Sequence, residues 1–181
     1  MKSPLTLPAR KWRTTFFTSL VFICGAICDA PLAIADAQPV TVNIKRMSLD
    51  TALTAAQASI AACRKEGVQI TVTVIDRGGH PQVVLRDVLA MDVSLSISRD
   101  KAYTAMSFNS PTGNLEGRFK GSYGVPKTKG VLIARGGLPI LAGGNILGGI
   151  GVSGAPSGET DEKCAQAGLD AIKDDLEMSA E

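Results

Sequence analysis

The sequence predicts an α/β (α+β) domain with a five-stranded, mostly antiparallel sheet flanked by helices, in the order α-ββ-α-βββ-α. Two observations predict this class. Apolar residues recur at helical spacing at the start, the middle and the end of the region after residue 37, and the β-rich runs between them are short and joined by tight glycine turns. Such closely spaced runs pair with one another most simply as an antiparallel sheet covered by helices.

The first helix is predicted from about residue 49 to residue 66. Ser48 is a suitable N-cap, and Gly67 is a suitable terminator. The apolar positions follow spacings of four and three, which place them on one helix face: Leu49, Leu53, Ala56, Ile60 and Cys63.

A β-hairpin is predicted next. Residues 69–76 (QITVTVID) are rich in β-branched side chains and end at the turn sequence Arg77-Gly78-Gly79-His80. Residues 81–87 can then return antiparallel to the first strand.

The second half of the chain is predicted to hold a helix, a meander and a closing helix. The helix covers about residues 92–107, and a connection with one helical turn within residues 114–119 follows. Three strands are expected at residues 130–134, 138–142 and 145–153. The last helix runs from residue 160 to about residue 177, with Asp161 and Glu162 in its first turn, where carboxylates favour the helix dipole.

Residues 1–37 are predicted to be a secretory signal peptide. Four basic residues precede an apolar run of about a dozen residues (16–27), which is shorter than the roughly 20 that a spanning helix needs. Ala33, Ala35 and Ala37 then fit a processing site for small residues. The alternative is an uncleaved membrane anchor. Export to the periplasm or the extracellular space is the expectation.

The charge and the cysteines of the remaining 144 residues exclude some functions. This part carries 15 basic and 15 acidic residues, because four of the 19 basic and two of the 17 acidic residues lie in the leader. A near-neutral domain argues against nucleic-acid binding. Cys63 and Cys164 are too few for a disulfide scaffold but compatible with one bridge; the interpretation as two buried thiols is favoured over the bridge.

The motif GIGVSG at residues 149–154 satisfies the G-x-G-x-x-G pattern, but a dinucleotide-binding fold is rejected. That fold needs a second parallel strand after the helix, whereas here the sequence ends after one helix. Gly149, Gly151 and Gly154 are instead candidates for a close backbone approach to a ligand, with the amides of residues 160–163 receiving an anion. The alternative is that these glycines serve tight packing.

His80 is the one histidine of the sequence. This excludes a multi-histidine zinc site, and neither a nucleophile elbow nor a Cys-x-x-Cys-His sequence accompanies it. At a hairpin tip His80 can ligate a metal or haem iron or move a proton; the alternative is a solvated turn residue.

The second helix offers a candidate pocket wall. Lys101 and Thr104 share one side with the apolar residues Ile97, Ala105 and Phe108. The alternatives are that Lys101 extends to water and Thr104 bonds its own backbone. Further cationic candidates are Arg99, Arg118 and Lys127, and phenolate candidates are Tyr103 and Tyr123.

Several short motifs together resemble the GlcG/HbpS-like family of haem-binding, sometimes haem-degrading, proteins, which is related to the carboxy-terminal domain of PduO. The resemblance covers nearly all of the chain after residue 37. The motifs in chain order are LTAA at 53–56, VIDRGGH at 74–80, KAYTA at 101–105, GGLPI at 136–140, and GIGVSG at 149–154 followed by Asp161 and Cys164-Ala165. The resemblance implies a sheet of the profilin or roadblock kind and symmetric homo-oligomers.

For function, the resemblance implies a non-covalently bound haem or related tetrapyrrole, since attachment cysteines are lacking. The axial ligand would be His80 or a weak oxygen ligand such as Thr104, and the propionates would meet Arg99, Lys101 or helix-start amides. Two alternatives stay open. One is an enzyme acting on a small carboxylate or carbonyl compound, with Lys101 as the base; the other is a non-catalytic oligomeric module that senses a ligand.

Overall fold

The structure is a computed structural model that describes residues 39–121 and 124–179, so the predicted leader lies outside the described residues. Tyr123 lies outside them as well. The elements in chain order are α1 (Leu49–Lys65), β1 (Thr71–Asp76), β2 (Pro81–Arg86), α2 (Ser94–Phe108), two 3-10 turns (Thr112–Leu115 and Val125–Lys127), β3 (Gly137–Ala142), β4 (Asn145–Ser153), α3 (Gly158–Asp170) and α4 (Lys173–Met178). None of these helices is long and apolar enough to cross a bilayer.

The sheet has four strands in the order β2-β1-β4-β3, and every neighbouring pair is antiparallel. The α+β class, the antiparallel sheet and the flanking helices are therefore confirmed, but the fifth strand is wrong. Residues 130–134 form no strand, because the Leu132 N–H donates to the Thr104 hydroxyl of α2 at 2.8 Å. The order is α-ββ-α-ββ-αα.

The closing helix is divided in two. It begins at Gly158 because the Ser157 side chain accepts the Thr160 N–H at 3.2 Å, which caps the first turn. It breaks at Ile172, whose φ and ψ of −116° and 0° are not helical and whose side chain is buried in the core. One long helix over residues 160–177 is therefore wrong.

The helices cover the two sheet faces unequally. The main apolar core lies between the sheet and the pair α1 and α3, and β1 contributes Val72 and Val74 to it. The alternate residues of β1 face α2, where Thr71 and Thr73 form buried hydroxyl pairs with Ser94 and Ser98 at 2.5 and 2.8 Å. The α2 face of the sheet is therefore polar at Thr71 and Thr73, and its apolar part is a small cluster of Ile75, Ala102 and Met106.

This hydroxyl pairing fixes the register of α2 against β1. Two strand residues advance by about 6.8 Å, and four helix residues advance by about 6.0 Å. Thr71 and Thr73 can therefore meet Ser94 and Ser98 in step, so α2 lies parallel to β1.

Glycines of β4 let α2 approach the sheet closely. A Cβ at Gly149 would lie 2.5 Å from the Ala102 carbonyl oxygen, and one at Gly151 would overlap the Ser98 carbonyl oxygen. Side chains at these positions would push the helix away from the sheet. The packing interpretation of these two glycines therefore fits the structure.

Cys63 and Cys164 form a disulfide that joins α1 to α3, with their Cα atoms 5.6 Å apart. The interpretation as two buried thiols is therefore wrong, although both residues lie on the apolar helix faces as predicted. The bridge forms because α1 and α3 lie side by side: a Cβ at Gly168 would stand 2.6 Å from the Ala55 carbonyl oxygen. The sequence alone could not show that these two faces meet.

Candidate functional site

Lys101 does not line an open pocket. Its side chain is 5% exposed, and its Nζ donates to Asp161 Oδ2 at 2.7 Å and to the Val152 carbonyl oxygen at 3.0 Å. Gly136 seals this ion pair, since a Cβ there would stand 2.9 Å from Nζ. The structure therefore supports neither the predicted contact of Lys101 with a ligand nor the alternative in which its side chain extends to water.

Asp161 is the partner that neutralises Lys101 inside the fold. Burial raises the pKa of its carboxyl above the ordinary value, while the bonds from Lys101 and from the Ala155 N–H oppose that rise. The raised pKa means that the folded chain binds this proton more readily than the unfolded chain does. At the helix start where an anion was expected, the Ser157 side chain accepts the Thr160 N–H and the Ser157 carbonyl oxygen accepts the Asp161 N–H.

Thr104 and the glycine motif are likewise engaged within the fold. The Thr104 hydroxyl donates to the Asp100 carbonyl oxygen at 2.7 Å and accepts the Leu132 N–H, which matches the alternative of a backbone-bonded threonine. Gly154 has a φ of +125° and lies against Gln69 and Ile70. Within one chain, His80, Lys101 and Gly151 therefore share no open cleft: Lys101 and Gly151 are buried, and His80 is exposed.

His80 stands at the tip of the β1–β2 hairpin with its side chain 82% exposed. The Asp76 carboxylate lies behind it: Oδ1 accepts the His80 backbone N–H at 2.9 Å and lies 3.5 Å from Nδ1, and Oδ2 accepts from Arg46 at 3.3 Å. With Nδ1 beside the carboxylate, Nε2 is on the far side of the ring. A carboxylate beside one ring nitrogen is the common support of a histidine that ligates a metal through the other.

The Asp76 carboxyl is held in its ionised form. Burial alone would raise its pKa, but hydrogen bonds from the His80 and Gly78 backbone, together with the charges of His80 and Arg46, lower it below the ordinary value. The Asp76 carboxylate is therefore an anion at neutral pH and can orient the imidazole of His80.

Tyr103 of α2 connects the hairpin tip with a hollow on the outer surface of that helix. Gly79, at a φ of +84°, places its Cα so that a Cβ would be 3.0 Å from one edge of the Tyr103 ring. A Cβ at Gly130, whose φ is +85°, would be 3.6 Å from the opposite ring edge. Both turns require glycine, and together they hold the ring in place.

The hollow, which we call the α2 hollow, has a volume of about 440 Å³. Within residues 39–121 and 124–179, no hydrogen bond or ion pair engages the charged groups of Arg99 and Lys129 or the Tyr103 hydroxyl. Its lining residues are Ser96, Arg99, Asp100, Tyr103, Lys129 and Gly130.

Of the predicted site residues, the structure thus places Arg99 on the α2 hollow and His80 directly after Gly79, the glycine that lies against the Tyr103 ring. The sequence analysis missed Lys129 and Asp76 as site residues. The Gly130 next to Lys129 was a signal, since it indicated a turn but was assigned to a strand. Among the described residues, no group of three or more His, Cys, Asp or Glu side chains is arranged to hold a metal ion.

The family model described as haem degrading protein HbpS-like matches residues 47–170, which include the hairpin, α2 and the hollow. The chain belongs to the HbpS-like family. This match confirms the resemblance that the motifs indicated, and the motifs themselves fall largely at the interface between α2 and the sheet.

Relatives of this HbpS-like protein agree in sequence and in fold. A crystal structure of a double mutant of Streptomyces reticuli HbpS is 36% identical, with a TM-score of 0.71, and the match covers 79% of this chain and 98% of that one. A crystal structure of a PduOC:heme complex is 26% identical, with a TM-score of 0.66, covering 71% and 96%. A 15.0 kDa protein from the dhaT-dhaS intergenic region of Citrobacter freundii is 31% identical over 73% of this chain and 96% of its own length.

Proposed function

We propose that this HbpS-like protein binds haem non-covalently at the tip of the β1–β2 hairpin. The observation that carries the proposal is His80, an exposed imidazole with an ionised carboxylate behind one nitrogen. The PduOC:heme complex in a 26% identical relative and the description of the family support haem as the ligand.

The residues at the site fit this ligand. Haem supplies an iron with an open axial position and two propionate groups. His80 would hold the iron through Nε2, with Asp76 orienting the ring, and the neighbouring α2 hollow presents cations to the propionates. Covalent attachment has no support in the described chain, because both of its cysteines are in the disulfide.

The enzymatic alternative with Lys101 as the base loses its basis in the structure, because the ammonium group is buried against Asp161. Degradation of bound haem is the second candidate function, and the description of the family favours it. It builds on the same binding site. Decay of the bound haem's absorption band when ascorbate and dioxygen are supplied would separate degradation from binding alone.

Haemin titration of the purified protein tests the proposal. We expect a Soret band that saturates near one haem per chain, and an affinity at least roughly tenfold lower in His80→Ala because the iron loses its protein ligand. Native mass spectrometry of the same samples gives the stoichiometry and checks the homo-oligomer that the family resemblance implies.

Arg77→Ala is the matched control, since it alters the same turn and leaves the imidazole in place. Its titration curve should follow that of the unaltered protein. Absence of any saturable Soret change in the unaltered protein would contradict haem binding, and an unchanged affinity in His80→Ala would remove His80 as the ligand.

We also propose that the protein is exported to the periplasm or beyond. The signal-like composition of residues 1–37 supports this, and so does the Cys63–Cys164 disulfide, because such bridges persist in oxidising compartments. Amino-terminal sequencing of the protein from its native cells should find a chain that begins near residue 36 or residue 38. A chain that retains Met1 would overturn cleavage.

A further inference from the structure

We propose that the α2 hollow is a carboxylate-binding site. The inference deepens the proposed function, since the carboxylates can be the propionates of a bound tetrapyrrole. The same chemistry would also recognise a small free organic acid, so the proposal concerns the carboxylate group, and its test separates the two sources.

The hollow draws its groups from two parts of the chain. Ser96, Arg99 and Tyr103 follow one another on α2 at spacings of three and four, so they share one face of the helix. Lys129 and Gly130 come from the turn that packs against the other side. A ligand in the hollow is therefore approached from two directions.

The charges in the hollow are not balanced. Arg99 and Lys129 bring two cations and Asp100 brings one carboxylate, yet no ion pair within 4.0 Å joins them among the described residues. By contrast, Lys101 on the inner face of the same helix is fully paired with Asp161. A guanidinium and an ammonium that both face one concavity can form charge-assisted hydrogen bonds with an incoming carboxylate.

Tyr103 makes the hollow a preformed site. Gly79 and Gly130 lie against opposite edges of its ring, so the ring is held in place before any ligand arrives. The ring is half-buried and its hydroxyl has no partner in the part of the chain that the structure describes. Such a fixed donor costs little conformational entropy on binding. A volume of about 440 Å³ lies within the range of small-ligand pockets.

Two binding measurements on the full chain test the inference. Succinate is titrated by calorimetry without haem, and haemin is compared with haemin dimethyl ester, in which the propionates are uncharged. The test variant is Arg99→Gln with Lys129→Gln. The control is Lys65→Gln with Lys120→Gln, which removes the same charge at exposed positions outside the hollow.

We expect at least one of two results. The preference for haemin over its ester, or else the affinity for succinate, should be about tenfold greater in the unaltered protein and the control than in the Arg99→Gln, Lys129→Gln variant. Preference for haemin without succinate binding supports the propionates as the source. Succinate binding that depends on Arg99 and Lys129, with no haem binding, supports a free acid and contradicts the proposed function alone. If neither measurement depends on Arg99 and Lys129, the carboxylate site is overturned even where haem still binds through His80. Far-ultraviolet circular dichroism confirms that the variants are folded.

Discussion

Replacement of Lys101 by methionine is expected to lower the free energy of unfolding by about 3–5 kcal/mol, the usual effect of leaving one partner of a buried ion pair uncompensated. Asp161 would then keep the Ala155 N–H as its hydrogen-bond donor but lose the ammonium group that balances its charge. Methionine preserves most of the volume of the lysine side chain, so the loss reports charge rather than packing. Urea unfolding of both proteins at pH 7 measures it.

The pH dependence identifies the cause of this loss. Burial raises the pKa of Asp161 even beside Lys101, and removal of Lys101 raises it further. A carboxyl whose folded pKa exceeds its unfolded value is most stabilising below the unfolded pKa, about 3.9, and loses that stabilisation as the pH rises through the folded pKa. The deficit of Lys101→Met should therefore be smaller near pH 4 than at pH 7.

Lys173→Met is the matched control for Lys101→Met. Lys173 forms an exposed pair with Glu177 at 3.8 Å, so its loss should change stability by less than about 1 kcal/mol. Equal losses from the two substitutions, or a Lys101→Met deficit that does not vary with pH, would argue against a buried charge as the source of the effect.

Removal of the disulfide in the double variant Cys63→Ala, Cys164→Ala is expected to lower stability by about 2–5 kcal/mol. The bridge joins residues 101 positions apart, and a long closed loop restricts the unfolded chain strongly. It also connects α1 and α3 within the main core, of which both cysteines are buried members. Urea unfolding without reductant compares the double variant with the unaltered protein.

Reductant supplies the control for the bridge. Dithiothreitol should destabilise the unaltered protein to nearly the level of the double variant and should leave the double variant itself unchanged. Cys24 and Cys28 lie in the predicted leader, where the two proteins do not differ, and therefore do not affect the comparison. If the double variant unfolds at the same urea concentration as the oxidised protein, the bridge does not stabilise the fold.

The secondary structure was largely predictable because its signals are local. The periodic apolar face of α1 and the β-branched runs of β1 and β4 fix those elements within a residue or two. The strand at residues 130–134 failed because Val131, Leu132 and Ile133 have the composition of a strand, whereas their placement depends on the distant hydroxyl of Thr104. No local pattern carries that information.

The candidate site was only partly predictable. His80 was identified because it is the one histidine of the sequence, and Arg99 was named as one of several cationic candidates; both are exposed in the structure. Lys101 and Thr104 were placed on a pocket wall because helical spacing shows which residues share a face but not what that face meets. On α2 the face against the sheet combines the polar residues Ser94 and Ser98 with only a small apolar cluster, so the usual apolar signal of a buried face is weak.

The span of the disulfide has a consequence for a chain that is cut by a protease. Every described residue from 124 to 129 is exposed, and this stretch contains Lys127 and Lys129, which trypsin recognises. It lies between Cys63 and Cys164, so a single cut there yields two fragments that stay covalently linked. On a denaturing gel the nicked protein should migrate as one species until a thiol is added, after which it should separate into two.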